Sequence, residues 1–493
     1  MEKKLSVLGL AVLMLLILVC AFIGLGELPI RIWDESRLAV NALEMYENGF
    51  SLITTFEYKT DLWNTKPPLL VWIQWGLMQF LGPTEEAIRI PSALAVVLTT
   101  LSLIYFSKRI TRKYTIGIFG SLILITSYGY ISYHGGRSGD YDALLTMFMT
   151  TASLLFFVAN QNKFTNPKEN IGVFVLLALG VMTKSIAALL FAPAYLILLL
   201  LSGTLITFLT KKSTYVGLVI FILIVGGFYI SREFAESGYL EAVWVNDLFG
   251  RYTTPLENHR GPFTFYLENF VEKDFKKFFL FSILGLVLAL FRKKDDTRTF
   301  LLYCAIIFVI YILIISNAET KLPWYLIPAL PFAAILGGGF FGSLVDLVSK
   351  ANVSNQYKLP YQVATLAVVL YFFYQPYYQM VTLNYKEKDY GGSTDFYAVS
   401  KYLKDTYKDH SFPPGYAVLY SEYAAHKYFY VRLHQLAGSE VEWKYIKDIE
   451  TGDKAIIEGN HQLNHLRETA EFEILWEEGG GRVKGVQILE IEK

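Results

Sequence analysis

LSVLGLAVLMLLILVCAFIGL, residues 5–25, followed closely by Trp33-Asp34-Glu35-Ser36-Arg37-Leu38-Ala39, decides the class of this chain. A helix that crosses a bilayer needs about twenty apolar residues, and the first stretch supplies them. Lys3 and Lys4 precede it, as they would a secretory signal. The apolar core is nevertheless longer than the roughly 7–15 residues of a signal h-region, and no small-residue cleavage site leads into a polar mature domain. The run reads as a retained signal-anchor helix.

Working outward, the whole chain repeats this character. Of its 493 residues 53% are hydrophobic and only 18% charged, against about a quarter charged in a soluble protein; much of the chain therefore faces lipid. A net charge of zero argues against a nucleic-acid partner. Cys20 and Cys304 both lie inside apolar runs and read as buried packing residues, neither a disulfide framework nor a metal cluster. Further candidate spans lie around 87–107, 114–132, 142–159, 171–184, 186–203, 214–230, 277–291, 299–316, 322–346 and 360–378. Cations between alternate segments fix orientation. Lys3/Lys4, Lys108/Arg109/Arg112/Lys113, Lys163/Lys168, Lys211/Lys212, Arg292/Lys293/Lys294/Arg298 and Lys350/Lys358 all fall on one side, the cytoplasmic one, when about eleven spans are counted. Leu69 to Leu81 is too short to cross and is expected to lie on the outer surface or to dip in and return; 171–184 is also short, with Lys184 at its outer end.

The fold class expected is mainly α: a polytopic membrane protein with about 11–13 transmembrane helices and a small C-terminal α/β extracytoplasmic domain. Residues 1–384 form the membrane domain, with outer loops 27–86 and 231–276 shaping a site, and 385–493 the soluble one. In the latter, Phe396, Val399 and Leu403 share one face of a helix over 396–407, and 415–420 and 483–491 read as strands.

The outer side collects the ionisable residues that carry chemistry. Asp34 and Glu35 open a loop helix running from about Ser36 to Asn48. Asp34 is either its N-cap or a general base toward an acceptor hydroxyl. Arg137, Asp140 and Asp142 occupy a glycine-rich outer turn, where they pair structurally or join a site. Lys66 precedes Pro67-Pro68, which bar helix there. Lys66, Lys184 and Lys321 are single cations at outer ends of apolar segments, either snorkelling to headgroups or clamping a phosphate leaving group. His259 and Arg260 sit in a long outer loop with Arg251 and Glu257. No Cys/His spacing announces a metal.

Taken together these stretches resemble GT-C type membrane glycosyltransferases of the aminoarabinose transferase and protein O-mannosyltransferase group. The resemblance rests on Trp33 to Arg37, Lys66-Pro67-Pro68-Leu69, Ala87 to Ala93, Arg137 to Leu145, Thr183-Lys184, His259 to Phe263 and Lys321 to Leu326. It implies the GT-C fold and inverting transfer of a sugar from a polyprenyl-phosphate-linked donor to a glycolipid, glycan or protein acceptor at the outer face of the bilayer. By position it implies Asp34 as base, Asp142 or Asp140 as a second acid, and Lys66 and Tyr325 as contacts to the donor phosphate. It also implies a divalent metal, held by an acid before Lys-Pro-Pro and a loop histidine matched by His259; here Thr65 stands in the acid's place.

A polytopic lipid or solute transporter is the reading from another class. Transporters gather ionisable residues near the midplane and often show inverted repeats. This chain gathers them at outer ends and shows no clear internal repeat.

Overall fold

The computed structural model describes residues 2–249, 259–350, 355–382 and 396–491; Arg251 and Glu257 lie outside them. Among the described residues six helices are long and apolar enough to cross a membrane: Glu85–Thr111, Tyr141–Gln161, Pro167–Leu189, Lys212–Ala235, Asp296–Asn317 and Pro323–Leu347. Five shorter apolar helices accompany them, including Gly9–Phe22 and Leu69–Leu81. The chain is thus a mainly helical, polytopic membrane protein with a small C-terminal mixed β-sheet domain. It divides into two compact units: residues 1–23, 61–70 and 90–381, and residues 24–60, 71–89 and 382–493.

Several segments differ from their sequence-based bounds, each for a local reason. The span expected over 171–184 begins at Pro167, because the Asn166 side chain accepts from the Lys168 N–H (3.1 Å) and proline suits a first helical turn. The span expected over 186–203 is broken. Ser185 adopts φ 52°, a 3-10 turn covers Ser185–Leu189, and the helix proper is Ala192–Leu201. Likewise the span over 322–346 opens with a 3-10 turn, Pro323–Ala329, before Leu330–Lys350.

Within the first unit, Leu330–Lys350 packs on Thr115–Ile125 and Phe279–Phe291 at backbone distance. A Cβ on Gly338 would stand 2.3 Å from the Ile116 carbonyl oxygen, and one on Gly285 would stand 1.9 Å from that of Leu336. Small residues permit such approach where lipid supplies no hydrophobic drive between helices. The basic loops share one end of this unit: Arg109 pairs with Glu169, Lys113 with Asp346, and Gln161 bonds Asp296. Tyr141–Gln161 runs from that end to the opposite one, about 30 Å away for a helix of this length, where Asp142 lies. Both cysteines are buried and free.

The second unit is built on a five-stranded sheet of order β4-β3-β5-β7-β6, with β3 Tyr416–Tyr420, β4 Val441–Tyr445, β5 Lys454–Glu458, β6 Ala470–Glu478 and β7 Val483–Ile491; β1 (Thr55–Phe56) and β2 (Lys59–Thr60) form a separate hairpin. Strands β4, β3 and β5 are parallel, while β7 and β6 run antiparallel. The strands expected over 415–420 and 483–491 are β3 and β7. The expected helix is Ala398–Lys408, with Val399 and Leu403 buried. Leu419, Ile457, Leu466 and Val486 centre the core. Helix Asp34–Asn48 packs on helix Ala425–Leu436. The segment before it is pinned by buried side chains: Arg89 bonds the carbonyls of Leu25, Leu28 and Pro29, Lys404 those of Gly26 and Glu27, and the Tyr430 hydroxyl accepts from Ile30 N–H.

Candidate active site

The first unit carries a buried charge constellation at the end away from the basic loops. Asp140 caps helix Tyr141–Gln161, its carboxylate accepting the Tyr141 N–H at 2.6 Å. The cap fixes Tyr141 and Asp142 in the first turn, where a negative charge is favoured by the helix dipole. Lys184 ends helix Pro167–Lys184, where a cation is favoured for the same reason. Its ammonium donates to both Asp142 oxygens, at 2.7 and 2.6 Å. Both side chains are buried, so each charge depends on the other; dehydrating either alone would cost several kcal/mol. An ammonium has three donors; with two spent on Asp142, the cation stands 5.4 Å from the centre of the Tyr325 ring.

Lys66 reaches the same cavity from a loop that other residues hold still. Asp61 accepts from Trp63 N–H (3.2 Å) and Asn64 N–H (3.0 Å), turning the chain. The Tyr141 hydroxyl donates to Asn64 (2.9 Å), Tyr239 to the Thr65 carbonyl (2.7 Å), and Asn246 to the Leu62 carbonyl (3.2 Å). Lys66 then lies 5.3 Å from the Tyr141 ring centre. The cavity holds about 80 Å³ and is lined by Lys66, Asp142, Lys184 and Tyr325 together with Asp247 and Thr320. Two cations, two acids and a phenol thus surround one space.

The other residues singled out in the sequence have different surroundings. Asp140, besides capping, pairs with His134, which adopts φ 59° and stacks on Trp324 at 3.6 Å. Arg137 is buried and bonds the carbonyls of Cys20 and Ile23, which end the first helix. Lys321 does the same for Ser316 and Ala318 at the end of Asp296–Asn317, and its N–H bonds the His259 carbonyl. His259 and Arg260 are exposed. Among the described residues no group of His, Cys, Asp or Glu close enough to share an ion includes His259.

Asp34 and Glu35 belong to the second unit. Their helix begins at Asp34, not Ser36, and Trp33 rather than Asp34 holds the cap position, with φ 73°. Glu35 explains the shift: its carboxylate reaches back to the Arg31 N–H (2.7 Å) and also takes Arg89 at 2.8 Å, drawing the first turn upstream. Asp34 stays half-buried in that turn. Sequence reasoning missed Asp247, Thr320 and the tyrosines that brace the Lys66 loop. Asp247 was findable as an acid in the same outer segment, whereas the bracing hydroxyls carry no sequence signal.

Comparison with known proteins gives a consistent frame. Residues 65–229 match the family described as dolichyl-phosphate-mannose-protein mannosyltransferase. An uncharacterized protein of Aquifex aeolicus is 27% identical over 359 residues, covering 72% of this chain and 68% of that one. The undecaprenyl phosphate-alpha-4-amino-4-deoxy-L-arabinose arabinosyl transferase of Edwardsiella ictaluri is 27% identical over 332 residues, 64% of this chain and 56% of that enzyme. The crystal structure of ArnT from Cupriavidus metallidurans bound to undecaprenyl phosphate superimposes with a TM-score of 0.72 at 14% identity, covering 99% of this chain and 98% of that one. The chain is a polytopic membrane protein with the fold of ArnT.

Proposed function

We propose that this protein is an inverting glycosyltransferase that moves a sugar from a polyprenyl-phosphate carrier to an acceptor hydroxyl at the outer membrane face. The observation that carries this reading is the cavity lined by Lys66, Lys184, Asp142, Asp247 and Tyr325, where Asp142 is taken up by Lys184. It lies at the end of the helical unit opposite the basic loops, and the positive-inside rule makes that end extracytoplasmic. A phosphate on a prenyl tail is an anion confined to the membrane surface, and ArnT, which shares this fold, was crystallised with such a lipid.

The roles follow from charge. Asp34 removes the proton of the acceptor hydroxyl as its oxygen attacks the anomeric carbon. The bond from that carbon to the phosphate oxygen breaks on the opposite face, and the prenyl phosphate departs with the electron pair. Lys66 and Lys184 stabilise the charge that grows on the phosphate; losing one such donor typically slows a reaction about 10²–10³-fold. Asp142 acts through Lys184, holding its ammonium charged and aimed. We assign Glu35, Arg137 and Lys321 structural roles, since carboxylate and cation alike are taken up by buried partners. No step is routed through a metal.

The acceptor we favour is a glycolipid or envelope glycan. The match over residues 65–229 to a family described as protein mannosyltransferases favours a polypeptide as the second reading. Purified protein in nanodiscs, given a tagged prenyl-phosphate sugar and envelope extract, should move the tag to an acceptor that mass analysis identifies. A tag that never leaves its carrier would refute the transfer reading.

A further inference from the structure

The second unit contains an open crevice of about 670 Å³ that the mechanism above does not use. Its position is set by topology. Strand β3 connects onward to β4 on one side, whereas β5, next to β3 on the other side, connects onward to β6 and β7. Neighbouring parallel strands whose connections part in opposite directions leave a crevice beyond their carboxyl ends, the place where open α/β sheets bind ligands. The crevice is lined there by Tyr420 to Ala424 after β3 and by Glu458 and Gly459 at the end of β5, with Trp33 and His426 among its walls.

The walls are specific. Tyr423 lies between Phe56 (6.1 Å) and Trp33 (5.1 Å, rings 8° from parallel), so it braces the indole. Trp33 remains 48% exposed and holds φ 73°, a conformation costly for a bulky residue and kept mainly where function needs it. His426 is 1% exposed, stacked on Phe396 at 5.1 Å, and neither of its ring nitrogens has a hydrogen-bond partner among the described residues. Burial and the neighbouring Lys427 hold it well below its ordinary pKa, so it is neutral and offers one donor and one acceptor. A buried polar group left without a partner costs about 1–3 kcal/mol, which a ligand would recover. Lys427 and Glu458 neutralise each other, and the exposed Glu422 leaves the rim negative. Such a crevice repels phosphates and other anions. It suits a neutral or cationic ligand with a flat apolar face and several hydroxyls.

We propose that this crevice is a saccharide-binding site, in which Trp33 takes the C–H face of a pyranose ring and His426 takes hydroxyls at its edge. The site adjoins the proposed base, since Trp33 in its wall directly precedes Asp34. That binding stands on the crevice alone; that the bound sugar is the acceptor rests on the transfer reading.

The test is calorimetric titration of the full-length protein in nanodiscs with three trisaccharides, of mannose, N-acetylglucosamine and glucosamine, and with a Ser/Thr-rich peptide. At least one saccharide should saturate, and Trp33→Ala should weaken it about ten-fold, the scale of a lost aromatic contact. His426→Phe keeps the ring's shape and its stacking on Phe396 while removing both nitrogens. It should weaken the same saccharide without lowering the unfolding temperature, so the test survives if Trp33→Ala misfolds. No saturation by any saccharide, saturation by the peptide alone, or wild-type affinity in His426→Phe would overturn the proposal. Saccharide binding without sugar transfer supports the crevice and removes the transfer reading, and transfer without saccharide binding does the reverse.

Discussion

Asp34 and Glu35 are adjacent acids whose removal should have opposite consequences. Glu35 and Arg89 are 3% and 2% exposed. The carboxylate accepts from Arg89 Nε at 2.8 Å, Arg89 Nη2 at 3.2 Å and Arg31 N–H at 2.7 Å. The rest of the guanidinium is spent on three carbonyls of residues 25–29, at 2.6 to 2.8 Å. Glu35→Gln keeps the shape and removes the charge, stranding a cation among dipoles. Breaking a buried pair in this way costs about 3–5 kcal/mol, and because the amide oxygen still accepts a bond the lower end applies. Set against a typical total of about 5–15 kcal/mol, that loss should appear as a clearly lower unfolding midpoint in nanodiscs and faster proteolysis of the 24–32 segment. Folded Glu35→Gln should still transfer sugar. Asp34→Asn, in a half-buried first turn, should shift stability by no more than about 1 kcal/mol and reduce transfer by at least about 10²-fold. If Glu35→Gln is as stable as the parent but inactive, while Asp34→Asn is active, the assignment of the two acids is reversed and the reasoning fails.

Asp142→Leu and Lys184→Met should each lose about 3–5 kcal/mol, while the double variant Asp142→Leu/Lys184→Met should regain most of that stability and none of the donor use; a double-mutant cycle on unfolding midpoints and turnover reads both. Lys66→Ala should raise the donor concentration needed for half-maximal rate, since its ammonium stands at the cavity wall, 5.3 Å from the Tyr141 ring centre; an unchanged donor titration would remove it from the phosphate site. His426 has a pKa depressed well below 6.5 by burial, so below pH 6.5 the unfolded chain binds a proton that the folded chain refuses. Stability from this residue is therefore full above that pH and falls as pH drops, and melting curves from about pH 8 to pH 5 should show a decline that His426→Phe reduces.

Much of the architecture was already legible in the one-dimensional pattern. Apolar runs of membrane length, cations between alternate runs and the turn to mixed polar and aromatic sequence after residue 385 require no partner elsewhere in the chain. The helical, polytopic character and the end shared by the basic loops therefore agree with expectation, as do β3 and β7, while the spans over 186–203 and 322–346 are interrupted by 3-10 turns. Lys66, Asp142, Lys184 and Tyr325 were also visible, because an ionisable or phenolic group beside an apolar helix is conspicuous wherever it lies. Tertiary structure alone decided which conspicuous groups were already spent. Arg137 and Lys321 close helix ends, and Glu35 answers an arginine 54 residues away. It also gathered Asp247 beside Lys66 and Lys184, and left the His426 nitrogens in a crevice with no hydrogen-bond partner among the described residues. The reason is physical: helix and strand periodicity are local properties of a sequence, whereas the satisfaction of a buried charge or hydrogen bond depends on atoms that only folding brings within three ångströms.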